Sequence, residues 1–478
     1  MNNKAIAYVL GVVLQFEGIF MLIPFLVSVY YNDGMWKAFL VPASLSLIFG
    51  MMVKFYSSKS STFYAKEGFI IVAVSWILLS LIGAVPFYMG GCINSYLDAV
   101  FESVAGFTTT GASILTNIQA LPRSILFWRS ITNWVGGMGV LVFIIAVLPQ
   151  TGAYNMHLMK AESPGPSVGK LVPKVRETAI ILYGIYIVIT AIEFVLLLAG
   201  GMPLFDAITT SFATAGTGGF GVLNDSMASY SYYSQNVVAI FMVLYGVNFN
   251  LYYMILIKRT IVFFKSEEVR TYFAIVFGAT MLIAMDIYGM YGDVWTSVRM
   301  AFFHVASLIT STGFTIADYS TWPAFSQTIL VLLMFVGACA SSTGCGIKVS
   351  RIILYCKVVK KELRSFVHPN SVRAIKLDGR PVDPAVTAAC GGFLMVYVMV
   401  FVVSLIIISM DNYDLTTNFT AVSAALNNVG TGLGAIGPAK NFEGFSALSK
   451  VVFMFDMLAG RLEIFPLLVL CAPRSWRR

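Results

Sequence analysis

The sequence predicts an all-α integral membrane protein, a pseudo-fourfold arrangement of four span–short helix–span repeats preceded by two extra transmembrane helices. The 478 residues are 58% hydrophobic and 11% charged, against about 45–50% and about 25% in soluble domains. The mean hydropathy is +0.81. Ten apolar stretches are long enough to cross a bilayer, which takes about 20 residues, and a polar, glycine-centred cluster returns four times.

The first two spans, residues 6–31 and 37–56, form a leading helix pair within a segment 1–66. The first span is too long for the apolar region of a signal peptide and lacks a small-residue cleavage site, so we expect it to stay in the membrane. Glu17 lies inside this span. An acid within the membrane is a functional candidate by default, but Glu17 lies outside the repeats, and we expect a structural partner for it.

The other eight spans predict four repeated units, at 67–149, 150–258, 259–356 and 357–478. Each unit has an opening span, a segment of about 12 residues that is too short to cross, a Thr/Ser/Gly cluster and a second span. The paired spans are 67–89 with 128–149, 177–200 with 236–258, 270–291 with 325–356, and 385–409 with 449–471. The opening spans and the cluster glycines Gly111, Gly219, Gly313 and Gly432 recur at matching intervals, which indicates internal duplication.

Charge predicts the orientation of the units. Most of the 31 Lys and Arg residues fall at the termini or in the connections 54–66, 151–176, 258–270 and 348–380. The basic side of a membrane protein is cytoplasmic, which places both termini inside and gives all four units one orientation. The net charge of +8 therefore records topology and does not indicate a nucleic-acid partner.

The four clusters predict a selectivity filter. A short helix that returns as extended chain exposes carbonyl groups, which the membrane tolerates only inside protein or beside water. Glycine accepts positive φ, and four such loops would give rings of carbonyl oxygens that replace the water shell of a monovalent cation. The alternative is a set of plain loops or packing seams. Aligned on the glycine, the predicted filter residues are Thr109, Thr110, Gly111, Thr217, Gly218, Gly219, Ser311, Thr312, Gly313, Gly430, Thr431 and Gly432.

The eighth span carries a second unusual stretch, "VGACASSTGCGIKVSR" from Val336 to Arg351. Its small and polar residues are poor material for a continuous helix. We expect a broken helix in this unit alone, with a loop that opens or closes the path beneath the filter. The alternative is a small-residue face for close helix packing. The predicted gate residues are Gly337, Ala338, Cys339, Ala340, Ser341, Ser342, Thr343, Gly344, Cys345, Gly346 and Lys348.

Other classes of function find little support in the sequence. The six cysteines form no disulfide framework, and the three histidines are widely scattered. We see no convergent acids, bases or metal ligands, so we expect neither an enzyme nor a bound cofactor. The stretch Gly165–Leu171 resembles a nucleotide-binding loop, but it is one residue short and follows no strand.

As a set, these features resemble the Trk/Ktr/HKT potassium transporter family. The resemblance covers nearly the whole chain and includes "MKAESPGPSVGKL" (Met159 to Leu171) and "GRLEIFPLLVL" (Gly460 to Leu470). It implies uptake of K⁺, and also Rb⁺, across the bacterial inner membrane through a pore framed by four pore helices. It further implies a homodimer and a cytosolic TrkA-like nucleotide-binding regulator. Glycine in all four filter loops favours K⁺ over Na⁺. A Na⁺-coupled symporter of the KtrB type and a non-selective monovalent cation channel stay as alternatives.

Two further sets of charges have predicted roles. Arg461 lies 11 residues beyond Lys450, hence about 16 Å into the span at 1.5 Å per residue. We expect it to face the pore as a barrier to cations, the alternative being an ion pair with Asp456 or Glu463. The loops 151–176 and 357–384 are predicted to dock the regulator through Lys360, Lys361 and Arg364, or else to attract anionic lipid headgroups.

Overall fold

The computed structural model describes residues 3–57, 65–139, 175–368, 374–438 and 440–472. The loop 151–174 and the nucleotide-loop-like stretch at 165–171 lie outside these residues. Within them, the leading pair and the opening span of each unit are long apolar helices. Their bounds are Asn3–Tyr31, Trp36–Tyr56, Ala65–Gly83 followed by Val85–Met89, Val175–Ala199, Glu267–Tyr291 and Pro384–Ile408.

The outer surfaces of these helices are apolar. Leu26, Phe49, Met285 and Met395 are between 59% and 74% exposed, an exposure that large apolar side chains accept when they face hydrocarbon. The leading helices cross closely, since a Cβ on Gly11 would lie 2.9 Å from the carbonyl oxygen of Gly50. Small residues allow such close crossings within membranes. The prediction of a helical, multi-pass membrane protein is confirmed at this level.

Each described unit also contains the predicted short helix. Two of them begin at a capping aspartate: Asp293 accepts the N–H of Thr296 at 2.8 Å, and Asp414 accepts the N–H of Thr417 at 3.2 Å, which satisfies first-turn donors. Every short helix ends at its Thr/Ser/Gly cluster. The helices are Tyr96–Phe107, Leu204–Gly216, Val294–Ile309 and Leu415–Leu426.

The second helices differ from the prediction. We expected a break in the third unit alone, but the second helices of units two and four are broken as well, and the pieces in unit two are bent by 91°. Hydropathy misses these breaks because each lies within a longer stretch that is apolar on average, even though Asn248 and Glu463 lie in the breaks themselves. Residues 140–149 of the first unit lie outside the described part of the chain. The described pieces are Arg123–Met138, Tyr232–Tyr245 with Phe249–Leu256, Ala324–Phe335 with Val349–Val367, and Ala447–Arg461 with Phe465–Cys471.

Two small β-ladders qualify the all-α prediction. Val336–Gly337 pairs in parallel with Ile347–Lys348, across the break of the third unit. Lys376–Leu377 pairs antiparallel with Arg380–Pro381 in the connection before unit four. In the first ladder, the chain leaves the helix at Val336 and comes back beside the same point at Ile347, so the two short strands pair with each other. A short helix, Thr260–Lys265, joins units two and three.

Candidate functional site

The four cluster loops contact one another in a closed ring. A Cβ on Gly111 would overlap the carbonyl oxygen of Gly218 in unit two. In the same way Gly219 abuts Thr312 of unit three. Gly313 then abuts Val429 of unit four, and Gly430 abuts Thr110 of unit one. Each loop therefore meets the next through a glycine that has no room for a side chain.

The ring corrects the predicted register of the fourth loop. Gly430 has a φ of +78°, close to the +74° of Gly111, whereas Gly432 lies outside the left-handed region. A Cβ on Gly432 would instead meet Thr420 and Ile436 of its own unit. Gly430, not Gly432, is the fourth equivalent glycine, so the alignment on Gly432 was wrong. The stretch "GTGLG" offers glycines two residues apart, and the structure distinguishes them by backbone φ and by the contact of Gly430 with Thr110.

The backbone of each loop repeats the same conformation. Besides its glycine, every loop has a left-handed residue two positions earlier, with φ between +54° and +57°. Such conformations are strained for residues other than glycine and persist where the surrounding structure imposes them. In the corrected register the fourth triplet is Asn428-Val429-Gly430. The left-handed residues are Thr109, Thr217, Ser311 and Asn428.

A cavity of about 100 Å³ lies at the ring and is lined by all four of its glycines. Thr431 also lines this cavity. The C-termini of the four short helices end at the ring, and a helix C-terminus carries partial negative charge. The helix ends therefore favour a cation at the ring, while two cationic side chains, Arg129 and Lys440, also line the cavity.

A hydrogen bond between two threonine hydroxyls stabilises the first loop, and another stabilises the third loop. Thr108 and Thr110 approach to 2.8 Å through their hydroxyls, as do Thr310 and Thr312. The position before the glycine has no hydroxyl in unit four, where Val429 stands, or in unit two, where Gly218 stands. A Cβ on Gly218 would lie 2.5 Å from the amide carbon of Asn133, so the side chain of Asn133 fills the space that threonine takes in units one and three.

A buried ion pair supports the outer part of the first two loops. Arg129 contacts Glu102 at 2.9 Å, and both side chains are nearly inaccessible. Glu102 also accepts the N–H of Ile114 at 3.1 Å, while Arg129 donates to the carbonyl oxygen of Gly221 at 3.1 Å. In unit three His304 contacts the carbonyl oxygen of Ala317 at 3.2 Å. These side chains fix the chain just after the first three loops.

The predicted gate residues lie directly against the third loop. The N–H of Cys345 donates to the Ser311 hydroxyl at 2.8 Å. On the other side, the Thr343 hydroxyl donates to the carbonyl oxygen of Tyr245 at 3.3 Å. Lys348 is 1% exposed and donates to the carbonyl oxygen of Gly344. We call residues 336–348 the break segment.

Arg461 joins the first loop to the break segment. Its guanidinium donates to the Thr109 hydroxyl at 3.3 Å and to the carbonyl oxygen of Thr343 at 3.0 Å. It also donates to the carbonyl oxygens at the end of the second helix of unit one, Gly136 and Gly137. These long-range contacts could not be read from the sequence.

The two acids considered as partners of Arg461 are engaged elsewhere. Asp456 accepts from the Ser404 hydroxyl at 2.8 Å, and Glu463 pairs with Arg351 at 2.6 Å. Glu17 is 2% exposed, and its carboxylate oxygens have no hydrogen-bond partner among the described residues. The structural partner expected for Glu17 is therefore not found in that part of the chain.

The predicted docking residues form a basic surface on the helix Val349–Val367. Lys360, Lys361 and Arg364 are exposed. Together with Lys357 and Lys376 they line a cavity of about 620 Å³. The structure thus brings these cations together on one exposed surface.

Three comparisons with known proteins agree with one another. The family model TrkH, described as a cation transport protein, matches residues 37–478. The sequence is 38% identical to the Trk system potassium uptake protein TrkH of Escherichia coli K12 over 100% of both chains. It is 31% identical to TrkG of the same organism over 99% of each. The crystal structure of the potassium transporter TrkH from Vibrio parahaemolyticus matches with a TM-score of 0.90 at 33% identity, again over 100% of both chains.

Proposed function

Because the chain belongs to the TrkH family of cation transport proteins, we propose that it takes up K⁺ across the bacterial inner membrane, with both termini in the cytoplasm. Family membership confirms the resemblance to the Trk/Ktr/HKT transporters. The proposal depends above all on one observation, the closed ring in which Gly111, Gly219, Gly313 and Gly430 each abut a carbonyl group of the next loop. The named relatives are potassium uptake proteins.

In this proposal the four units surround one pseudo-fourfold pore, and the ring is its selectivity filter. Carbonyl oxygens of the loops replace the water shell of K⁺, and the short helices direct their negative ends toward the ion. The ring can discriminate between ions because its loops fix one another's spacing. The hydroxyl pairs and the Glu102–Arg129 pair support that spacing.

The break segment and Arg461 form the closed gate in this proposal. The segment lies against the third filter loop, and the fixed charge of Arg461 opposes a cation on the same path. A TrkA-like nucleotide-binding regulator would bind the basic surface at Lys360, Lys361 and Arg364 and shift the segment. A homodimer would place two such surfaces side by side.

The experiment is tracer Rb⁺ and K⁺ flux into proteoliposomes that contain the full chain, with and without a Na⁺ or H⁺ gradient. We expect flux that depends on the K⁺ gradient and excludes Na⁺. Strict dependence on a Na⁺ gradient would favour a symporter of the KtrB type, and equal Na⁺ flux would favour a non-selective channel. The variant Gly111→Ser should lower the selectivity for K⁺ over Na⁺, since its side chain would overlap the neighbouring loop. Unchanged selectivity in a well-expressed variant would contradict the filter.

A further inference from the structure

We propose that Glu268 is the positioning residue that holds the break segment closed, an inference that rests on the proposed gating role of that segment. Oε1 of Glu268 accepts the N–H of Ala340 at 2.7 Å and the N–H of Ser350 at 3.2 Å. Ala340 lies within the break segment, and Ser350 lies just after it. One carboxylate oxygen therefore joins the two sides of the break.

A buried carboxylate is well suited to hold the two sides of the break together, a role that we call the clamp. Ser350 lies in the first turn of Val349–Val367, where backbone N–H groups have no partner within the helix. A carboxylate is favoured at a helix N-terminus, both by charge and as a hydrogen-bond acceptor. Glu268 is only 7% exposed, so water would not replace it as the acceptor. Its loss would leave two buried donors unpaired.

The described hydrogen bonds between the segment and unit two are neutral, and apart from the bond of the Thr343 hydroxyl to Tyr245 they join backbone groups only. The N–H of Cys339 donates to the carbonyl oxygen of Gly246, and the N–H of Phe249 donates to that of Ser341, both at 3.0 Å. These are neutral backbone hydrogen bonds, which are weaker than bonds to a carboxylate. Glu268 is thus a side chain whose change should release the segment selectively.

Contacts of the preceding residue with charged residues of the basic surface fix the position of Glu268. The preceding residue, Glu267, donates its N–H to Asp378 at 2.6 Å and forms an ion pair with Lys357. Lys357 also donates to the carbonyl oxygen of Lys376 at 2.7 Å. Lys357 and Lys376 line the same basic cavity as the predicted docking residues. A partner that moved this surface would therefore move the start of the helix that carries Glu268.

The test measures how accessible the break segment is from the labelling rates of its own cysteines. Cys339 is 0% and Cys345 is 4% exposed, whereas Cys356 is exposed. We would treat the purified full-length protein with N-ethylmaleimide and quantify each labelled cysteine by peptide mass spectrometry. For Glu268→Gln and Glu268→Ala we expect roughly tenfold faster labelling of Cys339 and Cys345, the size of change expected when charge-assisted hydrogen bonds are lost. Cys356 should label at the wild-type rate.

The control is Glu362→Gln, which neutralises an exposed acid on the neighbouring helix and should change nothing. Wild-type labelling of Cys339 and Cys345 in folded Glu268→Gln would overturn the clamp. Glu268→Gln keeps the volume of the side chain, so it serves if Glu268→Ala does not fold.

Rb⁺ flux in the same variants separates the clamp from the gate. Faster labelling with raised flux in the absence of a regulator supports both proposals. Faster labelling with wild-type flux supports the clamp but overturns the gating role of the break segment. Selectivity should not change in either case, because Glu268 contacts no filter residue among its described bonds.

Discussion

At the scale of single residues, the ring explains why glycine recurs. Gly430 has a left-handed backbone and would place a Cβ on the carbonyl oxygen of Thr110. The left-handed conformation alone costs other residues about 1–2 kcal/mol, and the overlap adds to that cost. By contrast, a Cβ on Gly432 would first meet the flexible end of Ile436.

These two glycines give a matched test of the register. We expect Gly430→Ala to lower the selectivity for K⁺ over Na⁺, because one quarter of the ring must move. Gly432→Ala should keep wild-type selectivity, with a modest loss of thermal stability. Competitive Rb⁺ and Na⁺ flux in proteoliposomes measures the difference. If Gly432→Ala alone lost selectivity, the register based on the ring would be wrong.

Arg461 is the second residue whose role can be tested. Facing the path, its charge should oppose a cation, so we expect Arg461→Ala to raise K⁺ flux per folded protein at unchanged selectivity. Removal also leaves the carbonyl oxygens of Gly136 and Gly137 without this donor, at a cost of about 1–3 kcal/mol for each buried group left unpaired. Arg461→Lys keeps the charge and is the control, with flux near wild type. A lower flux in Arg461→Ala at matched expression would contradict the barrier.

At the scale of elements, the break segment has a structure that allows a clean deletion. The ladder between Val336–Gly337 and Ile347–Lys348 closes the base of the segment. Removing residues 341–344 would keep both strands while removing the carbonyl groups that bond Phe249 and Arg461. We expect a folded protein with raised resting Rb⁺ flux. Wild-type flux and full closure would reject the gate and favour a packing role for the small residues.

Some helices of this protein could be predicted from the sequence, whereas the breaks within them could not. The opening spans were predicted to within a few residues, and the short helices by their place before each cluster, because long apolar runs and Thr/Ser/Gly clusters are local signals. The breaks at Tyr245–Phe249 and Arg461–Phe465 were missed, because each lies within a longer stretch that is apolar on average. The contacts of Arg461 and Glu268 join residues far apart in the chain, and no local pattern encodes them.

At the scale of the whole molecule, the ring of four loops exists only when all four units are in place. Gly430 in the last unit completes the contact with Thr110 in the first, and Lys450 pairs with Asp98 across the same junction at 2.8 Å. The basic surface of Val349–Val367 lies beyond the break segment, where a soluble partner or lipid headgroups could act on it.

Two matched charge reversals distinguish whether the basic surface binds a soluble protein or the membrane surface. We expect charge reversal at Lys360, Lys361 and Arg364 to abolish co-purification of a TrkA-like regulator, because these exposed cations line one cavity. Reversal of Lys258, Arg259 and Lys265, which are also exposed, makes the same change in charge elsewhere and should leave the complex intact. If the surface binds lipid instead, each cation contributes about 1 kcal/mol toward anionic headgroups. Both triple variants would then retain the regulator but respond alike to anionic lipid in the proteoliposomes, and the docking proposal would be wrong.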